Sequence, residues 1–321
     1  MINECQTILQ SEFGIIANDI SPVSGGWSAS AFRVHSIEKS FFLKVYDKKR
    51  SSIANLLPKL DLCMQIASWL EHNTELQGRI NAPLLTKQGK VNVETQEYVY
   101  MLFNYIDGIT IETTPLFQNQ QSELAEIVGI LHRQGTNLPF DLSDRRETFT
   151  IPCADLLEIP SKMSDPPVIY QNRDLILQAI GHSQKLANQF QAENENIPFV
   201  LCHTDIHGWN LMQSDKLILI DWETIKLAPA EADLYSFWGD WYWGNAKWGS
   251  YWETFLPTYQ RLRSDYIVRD DLLHFYQVRR HIEDINDFYK QYLYDNMSEV
   301  ETREVIWHLE RECAFLSSLL D

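Results

Sequence analysis

One stretch leaves the chain few choices. Leu201-Cys202-His203-Thr204-Asp205-Ile206-His207-Gly208-Trp209-Asn210 is followed by the apolar run Leu217-Ile218-Leu219-Ile220, which ends in Asp221-Trp222-Glu223. Two short apolar segments of strand character bracket a polar loop. The loop carries a carboxylate, Asp205, then an amide, Asn210, and a second carboxylate, Asp221, closes the following strand. One carboxylate can take or orient the proton of an acceptor hydroxyl, while an amide and a second carboxylate hold magnesium, which prefers hard oxygen ligands. That is the donor set phosphoryl transfer from a nucleotide requires.

The upstream chain supplies matching parts in order. Ser24-Gly25-Gly26-Trp27-Ser28 precedes the strand-like Ala31-Phe32-Arg33-Val34-His35, and Phe41-Phe42-Leu43-Lys44-Val45-Tyr46 follows at hairpin distance. Small residues such as Gly25, Gly26 and Ser28 let a backbone approach phosphates closely, although a Gly-Gly pair in a hairpin is often only a turn. Lys44 stands mid-strand between apolar neighbours, where it either snorkels to an edge or reaches a phosphate. Leu60, Cys63, Met64, Ala67 and Leu70 recur at helical spacing, as do Leu124, Ile127, Val128 and Leu131, and Ile176, Ala179, Ile180, Ser183, Ala187 and Phe190. Glu97 to Phe103 alternates like a strand paired with Val91-Asn92-Val93. Gly135 to Pro167 reads as a variable loop.

His-x-Asp-x-x-x-x-Asn and the strand ending in Asp resemble the catalytic and metal-binding segments of protein kinases. More narrowly, His203 to Asn210 with Ile220-Asp221-Trp222-Glu223 resembles the aminoglycoside phosphotransferase and choline kinase family. Asp205-Ile206-His207, Asp221-Trp222 to Leu227-Ala228-Pro229, and Arg280 ahead of Glu283-Asp284-Ile285 are similar to its spectinomycin phosphotransferase branch. The resemblance implies an α+β, two-lobed protein-kinase-like fold. It has a small antiparallel β-rich N-lobe (1–103), a hinge (104–108) and a larger, mainly helical C-lobe (109–321). It also implies Asp205 as the catalytic carboxylate, Asn210 and Asp221 as magnesium ligands, and Lys44 on the phosphates of ATP or GTP. Backbone groups at Asn104 and Ile106 would meet the adenine edge. Such folds place an acidic residue on the first long helix to orient the lysine. Asp61 is the candidate by position, with Glu71 as fallback, although the family more often has Glu. Asp233 and His203 would support the catalytic loop without doing chemistry.

The acceptor is less legible. Trp238, Asp240 and Trp241 lie in an aromatic-rich run, and Glu283 and Asp284 add carboxylates that could meet substrate ammonium groups. Dense aromatics also simply close helical lobes, and helical spacing makes intrahelical ion pairs the simpler account of some of these acids. The formal charge of −17 disfavours a nucleic-acid partner and suits a cationic small molecule, while also being ordinary for solubility. Five scattered cysteines without a C-x-x-C pair indicate reduced thiols. With no signal-peptide pattern at the N-terminus and no apolar run of membrane-spanning length, a cytoplasmic monomer or homodimer is expected. The leading expectation is a magnesium-dependent kinase of an aminoglycoside or aminocyclitol, with antibiotic resistance as its setting. Choline, homoserine or methylthioribose is the alternative acceptor. His203, Asp205 and His207 also spell His-x-Asp-x-His, so a metallohydrolase is the rival of a different class. A kinase fold that binds nucleotide without catalysis is a third reading.

Overall fold

The computed structural model describes residues 2–23, 29–54, 56–135, 138–153, 156, 166–237 and 251–320. Contact density groups the chain into two compact units. The first comprises Met1–Ile130 with Asp205–Ile225, and the second comprises Leu131–Thr204 with Lys226–Asp321. The boundaries at 103/104 and 108/109 expected from the sequence lie within the residue range of the first unit.

The first unit opens with helix α1 (Ile2–Ile8), which runs into a single π turn, Leu9–Phe13. Gly14 ends that turn at φ 73°, a backbone conformation that costs glycine nothing. Strands β1 (Asp19–Val23), β2 (Ser30–His35), β3 (Ser40–Asp47), β4 (Val93–Glu94) and β5 (Tyr98–Asn104) form one antiparallel sheet in the order β1-β2-β3-β5-β4. Strand alternation sorts β3 into two faces. Phe41, Leu43 and Val45 join a core with Cys5, Leu9, Phe32, Val34 and Leu102, which leaves Phe42, Lys44 and Tyr46 on the opposite face. Lys44 lies in register with Met101 of β5 and Ala31 of β2, so its position is fixed by ladders on both sides.

Helix α2 (Leu57–Asn73) has a proline in its first turn, where the missing N–H is not needed. It buries Leu60, Cys63, Met64, Ile66, Ala67 and Leu70, the face expected from its spacing. A second, three-stranded sheet joins β6 (Ile109–Thr110), β8 (Leu211–Gln213) and β9 (Leu217–Leu219), with β8 central. Helix α3 (Gln118–Arg133) buries Leu124, Ile127, Val128 and Leu131.

In the second unit β7 (Val200–Cys202) pairs with β10 (Lys226–Ala228). Helices α4 (Pro167–Gln171), α5 (Arg173–Glu193), α6 (Glu231–Leu234), α7 (Tyr251–Leu262), α8 (Asp270–Tyr294) and α9 (Glu299–Leu320) make up the helical part. Its core joins Ile176, Ala179 and Ile180 of α5 to Val278, Ile282 and Ile285 of α8 and to Val305, Leu309 and Leu316 of α9. The five cysteines form no disulfide and are all buried. No helix among the described residues is long and apolar enough to cross a membrane.

Candidate active site

The first unit brings Lys44, Asp205, Asn210 and Asp221 into one compact body. Residues Gly208–Asn210 form a 3₁₀ turn ahead of β8, and the Asn210 N–H closes it onto the carbonyl of His207. The amide Nδ2 of Asn210 donates to the carbonyl of Asp205 at 2.9 Å and to its Oδ2 at 3.0 Å. It also lies 3.2 Å from His207 Nε2, and His207 Nε2 is 3.4 Å from Asp205 Oδ1. With its N–H groups so engaged, Asn210 keeps Oδ1 without a protein partner among the described residues, which is the atom a hard cation would use.

Strand β9 delivers Asp221. Its backbone adopts the left-handed conformation at φ 68° and ψ 59°, which a short polar side chain tolerates better than most. The chain then closes the 3₁₀ turn Trp222–Thr224, and the buried Trp222 indole N–H donates to the Leu219 carbonyl at 2.9 Å. Lys44 Nζ lies 2.7 Å from Asp221 Oδ1 and 2.7 Å from Glu223 Oε1. The Tyr46 hydroxyl also donates to Glu223 Oε1.

Charge is unbalanced in this cluster: one lysine faces Asp221 and Glu223, and the charge of Asp205 also acts on Asp221. Burial works against the charge on Lys44, but the two carboxylates more than reverse it and raise its pKa. Burial and then the charge of Asp221 push Glu223 well above the usual carboxylate range. Burial pushes Asp221 up too, but the Lys44 charge and the hydrogen bonds from Glu223 and Lys44 win, and Asp221 stays below its ordinary value. Three carboxylates, one ammonium and a spare amide oxygen are a donor set that suits a divalent metal and a polyphosphate.

Asp61 is not the partner of Lys44. It sits on the exposed side of α2, where it accepts from Gln65 at 2.5 Å and from Asn92 at 3.2 Å. The reason is helical phase: Leu60, Cys63 and Met64 take the inner face and turn Asp61 away. Glu71, the fallback, accepts the backbone N–H of Gly78 at 3.0 Å. The acid that meets Lys44 besides Asp221 is Glu223, which Tyr46 bonds in turn. Neither Glu223 nor Tyr46 was singled out in the sequence, although each lies two residues from a residue that was.

Asn104 ends β5 exposed, its Oδ1 accepting from Lys39 Nζ at 2.9 Å and its carbonyl facing the Asn81 amide at 3.4 Å. Ile106 follows, half-buried. In the second unit, Asp233 accepts the backbone N–H groups of His203 at 2.9 Å and of Thr204 at 2.6 Å. Its Oδ2 also meets His132 Nε2 at 3.0 Å, while His132 Nδ1 is 2.8 Å from the Tyr259 hydroxyl. Burial lowers the pKa of His132 against the pull of Asp233, which fits a neutral imidazole. His132, Cys202 and Asp233 are the group of metal-capable side chains that converges among the described residues. Both imidazole nitrogens and both Asp233 oxygens already have hydrogen-bond partners, so the trio reads as a scaffold for the chain ahead of Asp205.

Glu283 and Asp284 of α8 are each engaged one helical turn back, by Arg279 at 2.8 Å and by Arg280 at 2.9 Å. Gly25, Gly26 and Ser28, and Trp238, Asp240 and Trp241, lie outside the described residues.

Comparison with known proteins fits this arrangement. Residues 19–271 match a family model described as the phosphotransferase enzyme family. No curated protein sequence matches the chain. Among solved structures, spectinomycin phosphotransferase APH(9)-Ia in complex with ADP and spectinomycin is similar over 99% of this chain and 98% of its own, with TM-score 0.76 and 20% identity. A microcompartment-associated aminopropanol kinase covers 100% and 98% with TM-score 0.66 and 12% identity. The amicoumacin kinase hAmiN, in complex with AMP-PNP, Ca2+ and its ligand, covers 97% and 93% with TM-score 0.64 and 13% identity. At such identities the structural likeness speaks for the fold, and the family match speaks for the chemistry. The chain belongs to the phosphotransferase enzyme family and has its kinase-like α+β fold.

Proposed function

We propose that the protein transfers the γ-phosphate of ATP or GTP to a hydroxyl of a small, cationic molecule, with an aminoglycoside- or aminocyclitol-like acceptor as first choice. The observation that carries the reading is the joint placement in one unit of the Lys44–Asp221 pair and the Asp205–Asn210 hydrogen bond. Asp205 orients the acceptor hydroxyl and takes its proton late, since a loose transition state needs little early proton removal. The Asn210 amide holds the Asp205 carboxylate in place. Asn210 Oδ1 and Asp221 are the residues that would hold magnesium, and Lys44 would meet the α- and β-phosphates. Magnesium, when bound, neutralises the phosphate oxygens. Backbone groups at Asn104 and Ile106 are the proposed edge for the base.

Support for a cationic acceptor is the formal charge of −17 together with a family neighbour that binds spectinomycin. A metabolic alcohol of the choline, homoserine or methylthioribose type is the second reading, favoured by a kinase of aminopropanol among the similar folds. The hydrolase reading of His203, Asp205 and His207 gains nothing from a family match to phosphotransferases.

The test is a magnesium-dependent transfer assay with ATP and GTP against spectinomycin, several aminoglycosides, choline, homoserine and methylthioribose. Transfer to an aminocyclitol or aminoglycoside, absent in Asp205→Asn, is the expected result. Transfer confined to a metabolic alcohol would move the substrate to the second reading. Hydrolysis of a phosphoester without nucleotide would overturn the proposal.

A further inference from the structure

We infer that Glu223, braced by the Tyr46 hydroxyl, is the positioning residue for Lys44, in the role the resemblance assigns to a carboxylate of helix α2. The inference rests on the phosphotransferase reading and names a further part of the same site.

Four observations converge. Lys44 and Tyr46 are two apart on β3 and share the face opposite the sheet's main core. Both reach one oxygen, Glu223 Oε1, Lys44 at 2.7 Å. Glu223 is only 5% exposed, and a carboxylate so placed is retained only where partners satisfy it. Helix α2 packs on the turn Trp222–Thr224, so it backs the segment bearing Glu223, while its own Asp61 bonds Gln65 and Asn92.

The pairing also divides labour between the two carboxylates. Asp221 is the proposed metal ligand, and an oxygen given to a cation is no longer available to hold a lysine at full strength. Glu223 is the second carboxylate on Lys44 and the one with a tyrosine hydroxyl fixed on it. Lys44 therefore keeps an anchor when Asp221 is engaged elsewhere, and its ammonium stays aimed from β3 with no acid from α2.

The experiment compares full-length Glu223→Gln, Tyr46→Phe, their double variant and Asp61→Asn with wild type. The readouts are ADP binding by calorimetry at several magnesium concentrations, nucleotide and acceptor KM, kcat and thermal melting. Glu223→Gln is expected to weaken ADP binding and raise the nucleotide KM about tenfold, the scale of one lost charge-assisted hydrogen bond, with the acceptor KM held. Tyr46→Phe removes a single hydroxyl and moves the same quantities the same way by about threefold. The double variant is expected to be little worse than Glu223→Gln, because the tyrosine acts through the glutamate. Asp61→Asn leaves nucleotide binding unchanged.

Two results would overturn the inference. One is a loss of nucleotide affinity in Asp61→Asn with none in Glu223→Gln or Tyr46→Phe. The other is a Glu223→Gln defect that disappears at excess magnesium, which would make Glu223 a metal ligand. Should Glu223→Gln fail to melt cooperatively, Tyr46→Phe and Asp61→Asn decide the question alone. A wild-type protein that binds no nucleotide would instead overturn the phosphotransferase reading, a result distinguishable from either.

Discussion

Two buried charge clusters, one in each unit, are built in opposite ways. In the helical unit the cluster around Arg279 is matched. Arg279 meets Glu147 at 2.8 Å and Glu283 at 2.8 Å, with Lys226 adding a second positive charge to that group, and Arg311 meets Glu312 at 2.7 Å. Burial alone would push Glu147 up, but the charges of Arg279 and Lys226 and an N–H from Phe149 reverse that and take it to about 2. In the first unit charge is left over: Lys44 alone answers Asp221 and Glu223, with Asp205 close enough to add its field. Balanced groups hold helices together and ask nothing of solution. An excess of carboxylates around one ammonium stores an affinity for cations. Local electroneutrality thus distinguishes the Arg279 cluster from the candidate site, while burial does not.

The largest test of this contrast is Asp205→Asn. Transfer should fall roughly a thousandfold while ADP binding is kept, because the variant removes a proton acceptor and leaves the phosphate-facing groups. Turnover measured beside calorimetry checks it, and an active variant would break the assignment. Asp221→Asn comes next. It relieves the excess charge, so magnesium-dependent ADP binding should weaken roughly ten- to a hundredfold. An unchanged magnesium titration would count against the cluster as a cation site. On the balanced side, Glu147→Gln should destabilise the fold by about 2 kcal/mol, since it leaves Arg279 short of one buried partner. Denaturant unfolding would show it, with the nucleotide KM unmoved.

The last test is a pH dependence. Glu147 and Glu312 are each held at about 2 in the fold, against an ordinary value of 4.5. Folding therefore favours their ionised forms. Their stabilisation is complete above about pH 4.5 and drains away as pH falls towards 2. Melting curves across that window should show the loss, and Glu147→Gln should flatten part of it. A melting temperature level from pH 5 to pH 3 would contradict the matched-pair account.

Much of this was legible in the chain before any coordinates. Apolar periodicity located β3, α2, α3 and α5, because each buries one face and repeats accordingly. Lys44, Asp205, Asn210 and Asp221 stood out because each is polar at the end or middle of an apolar run. Asp61 misled because its place in the motif order was read without its helical phase: flanked by Leu60 and Leu62 and one turn before Gln65, it belongs to the outer face. Glu223 was hidden by a turn. It directly follows Trp222 in a 3₁₀ segment, where neither period 2 nor period 3.6 says which way a side chain points. The pairing of Glu283 and Asp284 with arginines was readable from spacing, whereas the Asp233–His132–Tyr259 network joins residues too far apart in sequence for any local pattern to reveal.

The way Lys44 is anchored has a consequence for control. Protein kinases place the lysine's carboxylate on a mobile helix, so that moving the helix switches the enzyme off. Here the carboxylates on Lys44 are those of Asp221 and of Glu223 in the turn that follows it, and α2 contributes none. Displacing α2 would therefore reach the lysine only through the turn Trp222–Thr224 on which it packs, not by withdrawing an acid of its own.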